Sequence, residues 1–318
     1  MRHRATLRPQ LVAMIDLHLH LDGALPLSTV RTLADLTNTP LSENDFDLAA
    51  KLSVPTPCNS LVDYLTCFAL PVSLMQSAES LQLAATDVCN TLQKQGLTYA
   101  ELRFAPAQHT RKGLSQREVV SAVLAGIRAS TLPCGLILCV MRGANTEANL
   151  ETVCVAEHFF GHGVVALDLA GAESLYPTDL YTSLFVRARQ ANIPFTIHAG
   201  EADGPQSVRA ALKLGASRIG HGVRSIEDPA LVAELAAQKI PLECCITSNI
   251  QTKAVESLAA HPLRALLAAG VIVTVNTDNP TVSRTTLADE FALVQDALAF
   301  TPQEIATLHA NARLAKFQ

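Results

Sequence analysis

The stretch from Met14 to Gly23 carries the first residues that could do chemistry, a pair of histidines separated by one residue. Side chains alternate between the two faces of an extended strand, so His18 and His20 project to the same side and can reach one metal ion. Asp22 and Gly23 follow at once as a turn signal, so the pair is predicted at the carboxyl end of its strand. That end is where barrel enzymes carry their catalytic groups.

Further polar clusters follow later apolar runs of the chain. His198 and Glu201 end the fifth run. His221 ends the sixth, and Asp278 follows the eighth. The carboxyl ends of strands converge in a closed barrel, so we expect these side chains to be neighbours. Three histidines and a carboxylate suit a divalent transition metal, most commonly zinc, with one position open for water. The remaining histidines lack this placement and are interpreted as core or loop residues: His3, His109, His158, His162, His261 and His309.

The elements that must position these residues can be predicted from hydrophobic periodicity. Short apolar runs bounded by turn residues predict strands over 14–20, 97–104, 134–141, 163–169, 193–198, 217–220, 240–245 and 271–276. Helical spacing is found over 28–35, 115–129, 175–191, 205–214, 229–238 and 262–269. Strands that are apolar on both faces and alternate with helices predict an α/β protein, a (β/α)8 TIM barrel. Prolines break residues 40–57 and helical periodicity covers 59–95, so a helical insertion is predicted after the first strand.

Composition bounds the class of protein. The chain has 318 residues, of which 49% are hydrophobic, and can bury a large core. A net charge of -5 without a basic run argues against a nucleic-acid partner and favours a small molecule. The sequence contains no stretch of about 18 apolar residues, so no membrane span is predicted. The eight cysteines form no Cys-x-x-Cys pair and several lie in apolar runs, so we expect buried thiols in a reducing cytoplasm.

The N-terminal residues differ from the rest of the chain. Residues 1–13 are basic but lack the apolar segment of a signal peptide. We expect them to be a disordered extension or the remnant of a start site upstream of Met14, with a short organellar presequence as the less favoured alternative. Residues 14–318 are expected to form a single domain.

Five segments together resemble the motif series of the adenosine deaminase family, within the metal-dependent amidohydrolases. They are HLHLDGA at 18–24, DLAG at 168–171, HAGE at 198–201, RIGHG at 218–222 and NTD at 276–278. The segments occur in the family's order, and the resemblance covers the chain from residue 14 nearly to its end. The series is highly specific, although each segment alone is weak.

The resemblance implies zinc-dependent hydrolysis of adenosine, and of 2′-deoxyadenosine, to inosine and ammonia in purine salvage. It implies one zinc ion per chain, held by residues matching His18, His20, His198 and Asp278. Around a purine nucleoside it implies Glu201 at the purine ring, His221 beside the attacking water, a backbone contact at Gly171, and Asp22 near the ribose.

The residue types themselves account for this chemistry. Attack at C6 breaks the aromaticity of the ring, which is much less costly when N1 is protonated, and Glu201 is placed to give that proton. We therefore expect burial to raise the pKa of Glu201. His221 and Asp278 can orient or deprotonate the water and assist the departure of ammonia. Asp22 can accept a hydrogen bond from a ribose hydroxyl and should repel a 5′-phosphate, which favours a nucleoside over a nucleotide.

Asn279 departs from the family pattern, which commonly has a second aspartate here that hydrogen-bonds the purine N7. N7 is an acceptor, and the amide of Asn279 donates at any pH, so the contact can be kept. Alternatives remain open within this fold: deamination of adenine, of an N6-substituted adenine nucleotide or of aminodeoxyfutalosine. A nucleoside-binding protein without catalytic activity is a further alternative, against which the intact ligand set and Glu201 argue.

Overall fold

The computed structural model of the protein describes residues 13–55 and 57–317. The predicted N-terminal extension therefore lies outside the described residues, apart from Ala13. No helix within this described part of the chain is long and apolar enough to cross a membrane.

Within residues 13–55 and 57–317, eight strands, all in parallel pairs, form two four-stranded sheets in the order β1-β2-β3-β4 and β5-β6-β7-β8. Their bounds are β1 Met14–His20, β2 Leu97–Phe104, β3 Cys134–Met141, β4 Val164–Ala170, β5 Thr196–Ala199, β6 Arg218–His221, β7 Leu242–Cys244 and β8 Val273–Val275. Isolated parallel bridges join the two sheets at both seams, Leu167 to Phe195 and Leu19 to Asp278. The strands thus follow one another around a (β/α)8 barrel, which confirms the predicted fold class.

Helices connect the strands. Their bounds are α1 Leu27–Thr37, α2 Asp45–Leu52, α3 Leu61–Leu65, α4 Ala69–Leu74, α5 Ala78–Lys94, α6 Gln116–Ala129, α7 Thr146–Phe159, α8 Thr182–Gln190, α9 Pro205–Leu214, α10 Pro229–Gln238, α11 Ile246–Gln251, α12 Leu263–Ala268, α13 Pro280–Ser283, α14 Leu287–Ala292 and α15 Pro302–Ala315. Five of these, α1 to α5, lie between β1 and β2. The helical insertion predicted after the first strand is therefore confirmed.

Prolines explain where two elements differ from their predicted bounds. The strand predicted over 193–198 begins at Thr196, because Pro194 has no N–H to give to a strand ladder. The helix predicted over 175–191 begins at Thr182, after a 3-10 turn over Thr178–Tyr181. Pro177 disfavours helical backbone at Tyr176, which explains why the helix does not start at residue 175.

The lower part of the barrel interior holds a buried ion-pair network as well as apolar side chains. Arg218 contacts Glu101 and Glu243, each with a nitrogen–oxygen distance of 2.6 Å. Its guanidinium also lies over the ring of Phe317, 3.8 Å from the centroid, so the C-terminal segment covers this end of the barrel. Because the charges are paired and hydrogen-bonded, the network can remain ionised without contact with water.

Candidate metal centre and active site

The structure brings the predicted histidines and the aspartate together at the carboxyl rim of the barrel. One ligand atom from each of His18, His198, His221 and Asp278 lies within 4.8 Å of the others. His20 joins this group, since its Nε2 lies 3.3 Å from His198 Nε2 and 3.4 Å from Asp278 Oδ1. Five side chains therefore face one centre, and their hydrogen bonds decide which of them can bind a metal.

Two buried carboxylates orient two of these histidines. Nδ1 of His18 lies 2.7 Å from Glu243, and Nδ1 of His198 lies 2.9 Å from Asp168. When Nδ1–H donates to a carboxylate, the Nε2 lone pair of a neutral imidazole is free to bind a metal ion. His18 Nε2 is buried without a hydrogen-bond partner. This orphaned nitrogen beside a carboxylate and further imidazoles is a donor set that fits zinc.

Arg103 connects the two carboxylates. Its guanidinium lies 3.0 Å from Asp168 and 2.8 Å from Glu243, and its side chain is fully buried. The cation offsets part of their negative charge and ties the supports of both histidines into one unit. Sequence reasoning missed Arg103 and Glu243, although a charged residue inside an apolar strand is a signal that could have found them.

Burial and charge set the protonation of Asp278 and Glu201, the two carboxyl groups predicted to be catalytic. Burial alone would raise the pKa of Asp278, but the ring of His18, whose Nε2 lies 3.4 Å away, and the other nearby imidazoles hold the pKa far below its usual value. Burial raises the pKa of Glu201 to about 8, and the charge of Asp278 contributes to this. The cleft thus holds a permanent carboxylate and a carboxylic acid that is protonated at neutral pH.

The loop that carries Glu201 is held by another buried carboxylate, Glu173. Oε1 of Glu173 accepts the N–H of Gly200 at 2.7 Å. Its Oε2 accepts the N–H groups of Glu201, Ala202 and Asp203 at 3.0, 2.7 and 3.0 Å. Four hydrogen bonds to a single side chain fix the backbone from which Glu201 enters the cleft. Glu173 was also missed by sequence reasoning.

Two of the rim residues hold strained backbone. His221 has φ 58° and Asp278 has φ 60°, a left-handed backbone conformation that residues other than glycine rarely adopt. Such strain persists only where surrounding contacts impose it, and it is common at functional sites. Asp278 is held by backbone hydrogen bonds of 2.8 Å in both directions with β1, to His18 and from His20.

A cleft of about 730 Å³ lies over this centre. Its walls include Leu61, Tyr64, Leu65 and Phe68 from the insertion after β1, none of which the sequence analysis singled out. The cleft also contains the predicted site residues other than His18, which lies beneath it: His20, Asp22, Gly171, His198, Glu201, His221, Asp278 and Asn279. No lysine or arginine lines the cleft within the described ranges of the chain.

Three residues predicted to contact the substrate line the cleft: Asp22, Gly171 and Asn279. Asp22 is buried with one oxygen unpartnered, and burial raises its pKa to about 7. Gly171 has φ 106°, which favours glycine and lets the backbone face the cleft. Asn279 packs so closely on Gly23 that a Cβ there would lie 2.0 Å from its Oδ1.

The histidines interpreted as core or loop residues do not line the cleft, as far as the structure describes them. His109 Nδ1 lies 2.8 Å from the carbonyl of Met75, and His309 stacks on Phe291. His3 lies outside the described residues. His261 is the exception in its contacts, because it reaches His221 through Asn249.

Comparison with known proteins gives consistent matches over most of the chain. The sequence model of the adenosine deaminase family matches residues 14–317. An adenosine deaminase of Haemophilus ducreyi is 46% identical over 315 residues, covering 96% of this chain and 91% of the relative. The crystal structure of an adenine deaminase from Arthrobacter aurescens superposes with a TM-score of 0.86 at 27% identity, covering 96% and 94% of the two chains. That of the N6-mAMP deaminase of arabidopsis gives 0.84 at 26% identity, covering 97% and 94%.

Proposed function

The chain belongs to the adenosine deaminase family, and we propose from this premise that it hydrolyses adenosine, and 2′-deoxyadenosine, to inosine and ammonia. The observation that carries the proposal is the pairing of two carboxyl groups in one cleft. Glu201 is protonated at neutral pH and Asp278 is ionised, beside a cluster of imidazoles. A proton donor and a proton acceptor facing one centre are what hydrolysis of an aromatic amine requires.

We propose that His18, His20, His198 and Asp278 hold one zinc ion. The orphaned Nε2 of His18 and the short distances from His20 to His198 and Asp278 support this set. Zinc bound there would lower the pKa of a water molecule from about 15.7 to about 7, which supplies the nucleophile at neutral pH.

The residues of the chain divide the proton transfers between them. Asp278 is ionised at neutral pH and so has a lone pair with which to accept a proton from the attacking water. One of its oxygens is held by the Ser248 hydroxyl at 2.6 Å. Glu201 gives its proton to N1 as the C6–O bond forms. This lowers the free-energy cost of losing aromatic stabilisation during the attack. As the C6–N6 bond breaks, Asp278 passes this first water proton to the amine, so that ammonia departs neutral. The second water proton, on the C6 hydroxyl, replaces the one that Glu201 gave as the C6=O bond forms. His221 lies 3.6 Å from Glu201, on the same side of the cleft.

The lining of the cleft supports a nucleoside as substrate. The described lining residues include no lysine or arginine that could bind a 5′-phosphate. The acidic Asp22 in the same lining would repel such a group. The unpartnered oxygen of Asp22 suits a ribose hydroxyl, and a free base would leave that oxygen unsatisfied. We therefore propose adenosine ahead of adenine and of adenine nucleotides.

A panel of aminopurines assayed for ammonia release tests this proposal. We expect adenosine and 2′-deoxyadenosine to have the highest kcat/KM, with adenine, AMP, N6-methyl-AMP and aminodeoxyfutalosine far lower. Faster turnover of AMP than of adenosine would overturn the nucleoside assignment. Binding of adenosine without release of ammonia would identify a nucleoside-binding protein.

We also propose that residues 14–318 form a single domain and that the protein is located in the cytoplasm. The buried state of six of the eight cysteines supports a reducing compartment, because buried thiols serve there as ordinary apolar side chains.

Asn279 should read N7 of the purine. If its amide donates to N7, Asn279→Leu leaves a ring nitrogen buried without a donor. This costs about 1–3 kcal/mol, or roughly five- to 150-fold in kcat/KM for adenosine. The measurement compares two enzymes, native and Asn279→Leu, with two substrates, adenosine and 7-deazaadenosine.

The 7-deaza analogue serves as the control because it lacks the acceptor. It should be a poor substrate for the native protein and be much less affected by the substitution. An equal loss of kcat/KM for both substrates would show that Asn279 does not contact N7.

A further inference from the structure

We propose that Asn249 and His261 are positioning residues that hold His221 in the tautomer with its proton on Nε2. His221 would then be a hydrogen-bond donor to the oxygen that attacks C6, and it would have no lone pair to offer a metal. The catalytic part of this statement rests on the proposed function, whereas the tautomer is a property of the folded chain.

The direction of the hydrogen bonds starts at a backbone group, which can only donate. The N–H of Leu263 donates to Nδ1 of His261 at 3.2 Å. Nδ1 therefore carries the lone pair, and the proton of the neutral ring is on Nε2. Burial lowers the pKa of His261 to about 4, so the ring is neutral at physiological pH.

The same logic then fixes the amide of Asn249. Nε2 of His261 lies 3.4 Å from Oδ1 of Asn249, and this oxygen can only accept. The opposite end of the amide, Nδ2, lies 2.9 Å from Nδ1 of His221 and can only donate. Asn249 is fully buried on α11, so its amide has no water with which to exchange these partners.

His221 is therefore held in the opposite tautomer to that of His18 and His198. His18 and His198 face carboxylates through Nδ1, so their Nε2 atoms present lone pairs to the centre. His221 accepts at Nδ1, so its Nε2 presents a proton, 3.6 Å from Glu201. This difference selects His20 ahead of His221 as the remaining imidazole ligand. It also leaves acceptance of the water's proton to Asp278.

The direct test is a long-range ¹H–¹⁵N correlation spectrum of the purified, metal-loaded chain labelled with [¹⁵N]histidine. Loss of signals in His221→Gln assigns the ring. We expect His221 to carry its proton on Nε2, and His18 and His198 to carry theirs on Nδ1. A proton on Nδ1 of His221 in the native protein would overturn the proposal, whatever substrate the protein uses.

Variants of His261 test the positioning role. His261→Phe removes the donor to Asn249, so we expect kcat for adenosine to fall about 10- to 100-fold, the usual effect of losing an outer hydrogen-bond partner. We expect KM to stay within about twofold, because the substrate contacts are unchanged. His261→Gln keeps an N–H donor and should restore most of kcat. Unchanged kcat in His261→Phe would contradict the role.

Two further variants separate this role from general destabilisation. His309→Phe replaces another buried histidine, one stacked on Phe291 outside the cleft, and should leave kcat and the His221 signals unchanged. Asn249→Asp replaces the donor by an acceptor, so we expect the proton of His221 to move to Nδ1. If the native protein released no ammonia from adenosine, the proposed function would fail while the spectrum still decided the tautomer.

Discussion

Replacing His198 by alanine should remove both the metal and the activity. The native protein is expected to contain about one zinc per chain, held by three imidazoles and Asp278. Losing one ligand should cost more than the ~10- to 100-fold in metal affinity that follows loss of an outer partner. Metal content measured by mass spectrometry and ammonia release from adenosine should therefore both fall to background.

Graded and matched variants make this result specific. Glu243→Gln removes the carboxylate partner of His18, which also pairs with Arg103 and Arg218, and we expect it to weaken zinc binding by about 10- to 100-fold. His20→Ala should lose the metal, whereas His221→Ala should keep it. His309→Ala, outside the cleft, should retain both metal and activity. One bound zinc in His198→Ala, or full activity of metal-free native protein, would contradict the proposed site.

Glu201→Gln should retain zinc while turnover falls by about 10²–10⁴-fold, the typical effect of losing a general acid. The amide of glutamine occupies the same space but cannot release a proton to N1. Metal content and kcat measured on the same preparation separate the chemical step from metal loss. Near-normal turnover would remove Glu201 from the mechanism. Glu290→Gln, which alters a buried carboxyl group outside the cleft, is the matched control.

The same carboxyl group should determine the alkaline side of the pH profile. Glu201 must be protonated to act, and burial raises its pKa to about 8. As pH rises through this value the acid is lost, so kcat/KM for adenosine should decline above about pH 8. A profile that stays flat to pH 10 would show that another group supplies the proton.

Much of the barrel was predictable because its parallel strands are covered on both faces. Such strands appear as continuous apolar runs, and the bounds predicted for 97–104 and 134–141 coincide with β2 and β3. The positions of His18 and His20 were likewise predictable, because side chains alternate along a strand. Prolines shifted the starts of β5 and α8 from their predicted positions. The effect of a proline depends on which backbone groups must form hydrogen bonds in the folded protein, and the sequence alone does not show this.

Sequence alone predicted which residues could bind metal and exchange protons, because residue type and strand position are local properties. The tertiary structure decided how each of them is held. Arg103 joins the carboxylates behind His18 and His198, and Glu173 fixes the loop of Glu201, through contacts between separate strands and loops. The direction of the hydrogen bonds on His221 depends on Asn249 and His261, which lie 28 and 40 residues away in the chain. The tautomer of a histidine is set by its neighbours in space, so it could be inferred only from the tertiary structure.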